Sequence, residues 1–406
     1  MNKCFLKDIA QIDISSVDKK VKENEISIKL CNFTDVYNNW AITERMYNNF
    51  MNATANRSEI ERYKLKKGMI AITKDSEKKE DIGMSSYIAD SFDDVILGYH
   101  TALINPYSKN VDSKYLNAYL NSYIARKYFS KSASGSGQRY TLTIDIIKKL
   151  PLYLPSLDIQ KKIGNLLSNI DRKIEINYQI NNNLEELMKT IYQRWFIEFE
   201  FPNEEGKPYK SNGGKLYYND KLKHKIPGNW GVNELIEVAD IYQPKTIPID
   251  ELKEDGKYNV YGANGIIGKY DLYNHEENEI AVCCRGAGCG KYIMTQPFSW
   301  ITGNAMVIKP KLEVDLKEYI YYKLDDKDIL NYVTGSAQPQ ITRTNIENMK
   351  IMIPDKAIIN KFNSLAKEIR KNIINLIKEN QRLDSLKKFI LPLLINGQIN
   401  VDDIEI

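Results

Sequence analysis

Apolar residues recur at spacings of three and four between Asp158 and Phe196, through Ile163, Leu167, Ile170, Ile174, Ile180, Leu184, Leu187 and Ile191, with Asn177 inside the stripe. Such heptad-like spacing predicts one long helix. At ~1.5 Å per residue, a helix of ~40 residues spans on the order of 60 Å, more than an ordinary globular helix, so it needs a partner along its length. Phe362, Leu365, Ile369, Ile373, Leu376, Asn380, Leu383, Leu386 and Ile390 carry a matching stripe. The two helices can pair as an intramolecular coiled coil, and antiparallel pairing would put two globular modules at opposite ends. Asn177 and Asn380 interrupt the seam, as polar residues that fix register do. An ordinary helical bundle that contains Asn is the other reading.

Ahead of each stripe the pattern is different. Ile26-Ser27-Ile28-Lys29-Leu30, Met69-Ile70-Ala71-Ile72, Val95-Ile96-Leu97 and Thr101-Ala102-Leu103-Ile104 read as strands between turn residues. Ser113 to Ser130 reads as a helix, from the spacing of Tyr115, Leu116, Tyr119, Leu120, Tyr123 and Tyr128. In the second half, Ile280-Ala281-Val282 and Ala305-Met306-Val307-Ile308 are strand-like.

The chain also repeats itself. Gly135-Ser136-Gly137-Gln138 through Phe196 recurs as Gly335-Ser336-Ala337-Gln338 through Ile395, an offset of 200 (335 − 135) in 406 residues. Each copy has a small-residue loop with Gln, a β-like run ending in Pro155 or Pro354, then the long helical pattern. A duplication of this size implies two equivalent halves. The expected class is α+β: two α/β modules in tandem, each followed by a long helix. The expected segments are a first module at 1–154, a helical region at 155–200, a turn-rich linker at 201–226, a second module at 227–353, a second helical region at 354–397 and a tail at 398–406.

Composition narrows the function. No apolar run approaches the ~18 residues of a membrane span, and the charged N-terminus lacks a signal-peptide core, so the expected location is the cytoplasm. Five cysteines, three of them within Cys283-Cys284-Arg285-Gly286-Ala287-Gly288-Cys289, form no disulfide framework. His100, His224 and His275 are too scattered for a zinc site, and no metal is expected. A net charge of +4 permits nucleic acid without demanding it. Arg285 to Lys291 fails both the P-loop and the dinucleotide patterns and reads as a tight loop after a strand. Asn105-Pro106-Tyr107 reads as a strand-ending turn rather than the adenine-gripping motif of amino-methyltransferases. With no carboxylate cluster for a nuclease either, no catalytic site and no cofactor are expected.

The two-copy layout, Tyr261-Gly262-Ala263-Asn264-Gly265-Ile266-Ile267-Gly268-Lys269-Tyr270, Ile226-Pro227-Gly228-Asn229-Trp230 and Trp195-Phe196-Ile197-Glu198-Phe199-Glu200 together resemble the specificity subunit of type I restriction-modification systems, over essentially the whole chain. The first half departs by lacking the Ile-Pro-x-x-Trp entry. The resemblance implies a non-catalytic subunit in which residues 1–154 read one half of an asymmetric bipartite DNA site and residues 227–353 the other. The helices would act as a ruler and dock two adenine-N6 methyltransferase subunits, which bring S-adenosylmethionine. Restriction subunits with ATP- and Mg-dependent activity would join that core. The helix positions carrying the pairing and docking would be Ile163, Leu167, Ile170, Ile174, Asn177, Leu184, Phe362, Ile369, Ile373, Asn380 and Leu383.

A duplex reader needs cations for phosphates and fixed donor/acceptor side chains for base edges. The loops before each helical repeat offer Gln138, Arg139, Tyr140 and Thr141, matched against Gln338, Gln340, Thr342 and Arg343. Gln243, Lys245, Arg285 and Lys291 are further candidates in the second module, and Arg62, Lys64, Lys66 and Lys67 could meet phosphates in the first. The plainer reading of the same loops is a pair of solvated turns. A coiled-coil scaffold that binds protein and has no DNA specificity is the competing function.

Overall fold

The computed structural model describes residues 2–404 other than 38, 137–138, 254, 263–264, 287, 312–314, 325–326 and 336–337. The chain divides into two compact units, one of residues 1–176 with 379–406 and one of residues 177–378. Each unit therefore contains one globular module and a stretch of each long helix.

In the first unit a five-stranded sheet runs in the order Ala10–Ile14, Thr101–Pro106, Ile70–Thr73, Ser85–Ile88, Ala41–Ile42. A three-stranded sheet of Met51–Ala55, Ile26–Cys31 and Val95–Leu97 lies over a separate apolar cluster that includes Leu30, Val36, Phe50, Leu65 and Ile96. Asn2–Phe5 pairs antiparallel with Pro151–Leu154 and so closes the module onto its own start. The expected helix at 113–130 is two helices, Ser113–Leu120 and Tyr123–Ser132. Asn121 breaks it by turning its side chain onto Ser85, whose carbonyl accepts from Nδ2 at 2.9 Å, and Ser122 takes an extended N-cap conformation.

The second unit carries a four-stranded sheet, Ala239–Tyr242, Ala305–Pro310, Ile280–Cys283, Tyr292–Met294, and a three-stranded sheet of Gly265–Tyr270, Tyr258–Gly262 and Trp300–Ile301. Gly231–Glu234 pairs with Lys350–Ile353 as the first unit's ends pair. The 201–226 segment, expected as a linker, folds: Leu216–Asn219 forms a hairpin with His224–Pro227, and Phe201 stacks on Tyr209 and Trp230 at 4.6 and 5.2 Å. The Trp195-Phe196 segment is the heart of this core. Phe196 is fully buried, with ring centroids 4.8 Å from Tyr319, 5.0 Å from Phe362 and 5.9 Å from Trp230.

One backbone frame underlies both modules. Thr73 exchanges hydrogen bonds with Gly83 and Met84 as Cys283 does with Gly290 and Lys291, and Gly83 and Gly290 both hold left-handed φ, 78° and 87°. The Leu142 amide donates to the Lys74 carbonyl at 2.7 Å as Ile341 does to Cys284 at 3.0 Å. Leu6 bonds to Leu150, and Leu235 to Met349, at 3.0 and 2.9 Å. Asn105-Pro106-Tyr107 is a strand end whose Tyr107 amide donates to Ile9, and Pro310-Lys311 repeats it on Val238.

Leu157–Tyr192 is a single helix that runs on into a turn of π-helix at Gln193–Ile197, and Lys356–Ile395 is the second. In the first unit they pair antiparallel: Asp171 meets Lys387 at 2.6 Å, Lys173 meets Glu379 at 3.6 Å, and the Asn380 amide donates to the Ile174 carbonyl at 3.2 Å. Ile163, Leu167 and Ile170 are buried there and Ile174 packs alongside. In the second unit Met188, Tyr192, Ile359, Phe362 and Ala366 are buried in one core, with Ile369 against it, while Arg370 lies within 4.0 Å of Glu185. Ile373, Asn177 and Asn380 are buried, and Leu184 and Leu383 are half-buried.

The seam corrects part of the expected stripe. Ile180, Leu187 and Leu365 are 39%, 48% and 43% exposed, and the inward positions are Asn181, Met188 and Ala366. A strict heptad continues from Asn177 by four to 181 and by seven to 188, so apolar character at 180 and 187 pointed one residue away from the true face. No helix among the described residues is long and apolar enough to cross a membrane.

Candidate nucleic-acid interface

In the first unit, strands Ser134–Ser136 and Arg139–Thr141 form a hairpin that pairs with Asp75–Ser76, the extension just beyond the core strand Ile70–Thr73. Gly135 makes the hairpin possible. It holds φ 139°, and a Cβ there would lie 2.1 Å from the Arg139 carbonyl oxygen.

Polar side chains converge on Asp75, which is nearly buried. Oδ2 accepts from Lys74 Nζ at 2.8 Å, contacts His100 Nδ1 at 2.6 Å and accepts from Arg139 Nη2 at 3.1 Å, and Oδ1 accepts from the Thr141 hydroxyl at 2.6 Å. Burial alone would raise this carboxyl, but hydrogen bonds from Lys74, Thr141 and His100 outweigh it and hold the group well below the usual carboxylate range. His100 sits at φ 72°, uncommon for a side-chain-bearing residue, with its ring 3.7 Å from that of Tyr99, and Arg139 also contacts it. Lys79 lies over the Tyr140 ring at 5.2 Å. Asp75 carries one negative charge against Lys74 and Arg139, so the cluster is net positive before His100 is counted.

The second unit builds the same place from different residues. The Cys283–Lys291 turn follows the core strand, with Gly286 and Gly290 at φ 81° and 87°. It is joined to residues 339–340, ahead of the second long helix, by an Arg285–Gln340 bridge and by the Gly286 amide, which donates to the Pro339 carbonyl at 3.1 Å. Arg285, Lys291, Gln338 and Gln340 lie at this junction, and all four are exposed. Gln243 donates to the Cys284 sulfur at 3.1 Å, and exposed Lys245 accepts the Trp300 indole N–H at its carbonyl, 3.3 Å away. The tight loop expected after this strand is therefore present.

The pairing of the two loops shifts by one residue. Leu142 matches Ile341, so Thr141 corresponds to Gln340, and Thr342 corresponds to Thr143 rather than to Leu142, where the 200-residue offset would put it. Both threonines cap short helices: Thr143 accepts from Ile146 and Thr342 from Asn345, at 3.3 and 3.2 Å. Thr342 also donates to the Asn345 side chain, so its hydroxyl is engaged. Arg343 lies in the first turn of that helix, exposed and 3.8 Å from Glu347. Gln138 lies outside the described residues. Away from the hairpin, Arg62 is tied to Asp13 at 2.9 Å and Lys64 lies 3.4 Å from Asp93.

Sequence reasoning missed Asp75, Lys74 and His100. His100 and Arg139 lie 25 and 64 positions from Asp75, and no short-range pattern connects them. His275, by contrast, is structural. Burial, with help from Lys309, lowers it to about 4, and its Nε2 faces the Tyr242 hydroxyl at 3.0 Å. Among the described residues no group of three or more His, Cys, Asp or Glu is arranged to hold a metal ion.

Two modules on one frame, each presenting a hairpin loop with its own side chains, define a tandem recognition protein. The model for the type I restriction modification DNA specificity domain matches residues 1–186 and 227–379, and the chain belongs to that family. It is 26% identical over 341 residues to the type I restriction enzyme MjaIX specificity subunit of Methanocaldococcus jannaschii, covering 76% of each chain. The HindI specificity subunit of Haemophilus influenzae is 23% identical over 410 residues, covering 82% of this chain and 87% of that one. The crystal structure of a type I restriction-modification S subunit from M. genitalium has the same fold, with a TM-score of 0.58 at 15% identity over 97% of this chain and 95% of that one. The protein is a DNA specificity subunit of the type I kind, a recognition component and not an enzyme.

Proposed function

We propose that this subunit reads an asymmetric, bipartite duplex site, with residues 1–154 addressing one half and residues 227–353 the other. The long helices set the distance between half-sites and dock two adenine-N6 methyltransferase subunits. S-adenosylmethionine enters with those subunits, and ATP and Mg with any restriction subunits that join. None of these is assigned a site on this chain.

The observation that carries the reading is chemical difference on an identical frame. Asp75 faces Thr141 in one hairpin where Arg285 faces Gln340 in the other. One scaffold with two side-chain sets suits two unlike half-sites, because direct readout depends on the donor and acceptor pattern offered to the base edges. Arg139, Arg285 and Lys291 add the cations a phosphate backbone needs. The modest net charge of +4 implies weak binding by the lone chain and tighter binding once methyltransferase subunits add their own surface.

Selection from randomised duplexes, with and without a type I methyltransferase subunit, tests this. A split motif whose enrichment falls steeply as salt rises supports the reading. Enrichment of no sequence by a soluble assembled complex would favour the protein scaffold.

A further inference from the structure

We propose that Asp75 is the positioning residue of the first module, holding Arg139 so that its guanidinium presents a donor edge to a guanine in the first half-site. The inference rests on the DNA-reading proposal above. The anchor is buried and the side chain it anchors is not: the Asp75 side chain is 7% exposed, that of Arg139 55%. The contacts that hold the Arg139 guanidinium to Asp75 and His100 all use Nη2, and Nη1 makes no hydrogen bond among the described residues. An arginine fork matches the paired O6 and N7 acceptors of guanine in the major groove. A phosphate asks less, since a lysine point charge on a flexible stem serves it without an anchor. Fixing the side chain in advance removes ordering cost at binding, which is what an anchored reader gains over a free one.

Asp75 acts on more than Arg139. It ties the hairpin down through Thr141, separates Lys74 from Arg139 by standing between two like charges, and holds His100 beside the guanidinium. In the second unit Arg285 takes the position of Asp75, so a change at Asp75 should alter one half-site and spare the other.

The test uses the subunit assembled with a type I methyltransferase subunit. Methyl transfer from S-adenosylmethionine is measured onto duplexes carrying the recognised motif and onto every single-base variant of it. Preference is a ratio between duplexes, so it does not depend on what fraction of a variant is folded. The expected result is that Arg139→Ala loses about tenfold or more of its preference at one G·C pair of the first half. Arg139→Lys should not restore it, and Asp75→Asn and Asp75→Glu should lose preference at the same pair, with the second half unchanged throughout. Equal loss on all duplexes for Arg139→Ala, or full preference in Arg139→Lys, would make Arg139 a phosphate contact and overturn the proposal. So would loss in Arg139→Ala with Asp75→Asn and Asp75→Glu unaffected. A wild-type complex that methylates without any split motif would instead bring down the underlying DNA reading.

Discussion

Asp75 and Arg285 occupy the same backbone position in the two modules, each two residues beyond the end of an equivalent core strand and each bridged to the hairpin that precedes a long helix. The charge at that position is inverted while the surrounding backbone hydrogen bonds are kept. The duplication thus conserved the presentation of a loop and changed what the loop presents.

Arg285→Ala and Gln340→Ala should therefore relax base preference in the second half of the methylated motif and leave the first half as it is. A bidentate pairing between a side chain and a base edge is worth about 1–3 kcal/mol of discrimination, which sets the size of the effect. Competition binding with half-site-substituted duplexes reads this directly. A change confined to the first half would reverse the assignment of modules to half-sites.

The first unit's helix pair should carry a pH signature. Burial pushes the Asp171 carboxyl up to about 6, against the opposing pull of Lys387. A folded-state value above the ordinary 3.8 means the fold favours the protonated form. That contribution is fully present below about pH 4 and lost as pH rises through about 6. Asp171→Asn, which stays neutral, should gain roughly 1–3 kcal/mol relative to wild type between pH 4 and 7. Urea unfolding at several pH values checks it, and a constant difference would contradict it.

In the second unit Arg370 donates twice to Glu318, at 2.7 and 2.6 Å, while lying over the Tyr321 ring at 4.7 Å. Both partners are buried. Glu318→Ala should destabilise this unit by about 3–5 kcal/mol, because the guanidinium loses its partner inside the core. The double change Glu318→Leu with Arg370→Met should recover most of the loss. Tryptophan fluorescence reports it, since Trp195, Trp230 and Trp300 belong to this unit and Trp40 to the other. Equal stability of Glu318→Ala and wild type would remove the pair from the account.

The corrected seam makes a sharp contrast between neighbours. Met188→Lys buries a charge in the second unit's core and should cost more than about 3 kcal/mol, whereas Leu187→Lys faces solvent and should stay within about 0.5 kcal/mol. Thermal unfolding of the two variants decides between the registers, and the reverse order would restore the expected stripe.

That contrast also marks what the sequence could carry. The long helices were legible because a three-and-four spacing sustained over about ten turns overrides local noise, and Phe196 and Phe362 stand out within it. Register was not, because Ile180 and Leu187 are as apolar as the residues beside them. The repeat was legible at Gly135 and Gly335, where a left-handed turn demands glycine, but a one-residue shortening after it breaks the offset of 200, so that Thr342 aligns with Thr143. Asp75 and His100 were invisible for a different reason. Their meaning lies in contacts to Arg139 across long stretches of chain, and an aspartate after a strand looks like any turn residue.

The most direct test of the account is to co-express the chain with a type I methyltransferase subunit in a host free of DNA methylation and to map N6-methyladenine across the genome, before and after residues 1–154 are exchanged for those of another specificity subunit. The account predicts a split, asymmetric motif of which only one half changes on exchange. A motif in which both halves change, or neither, would contradict it.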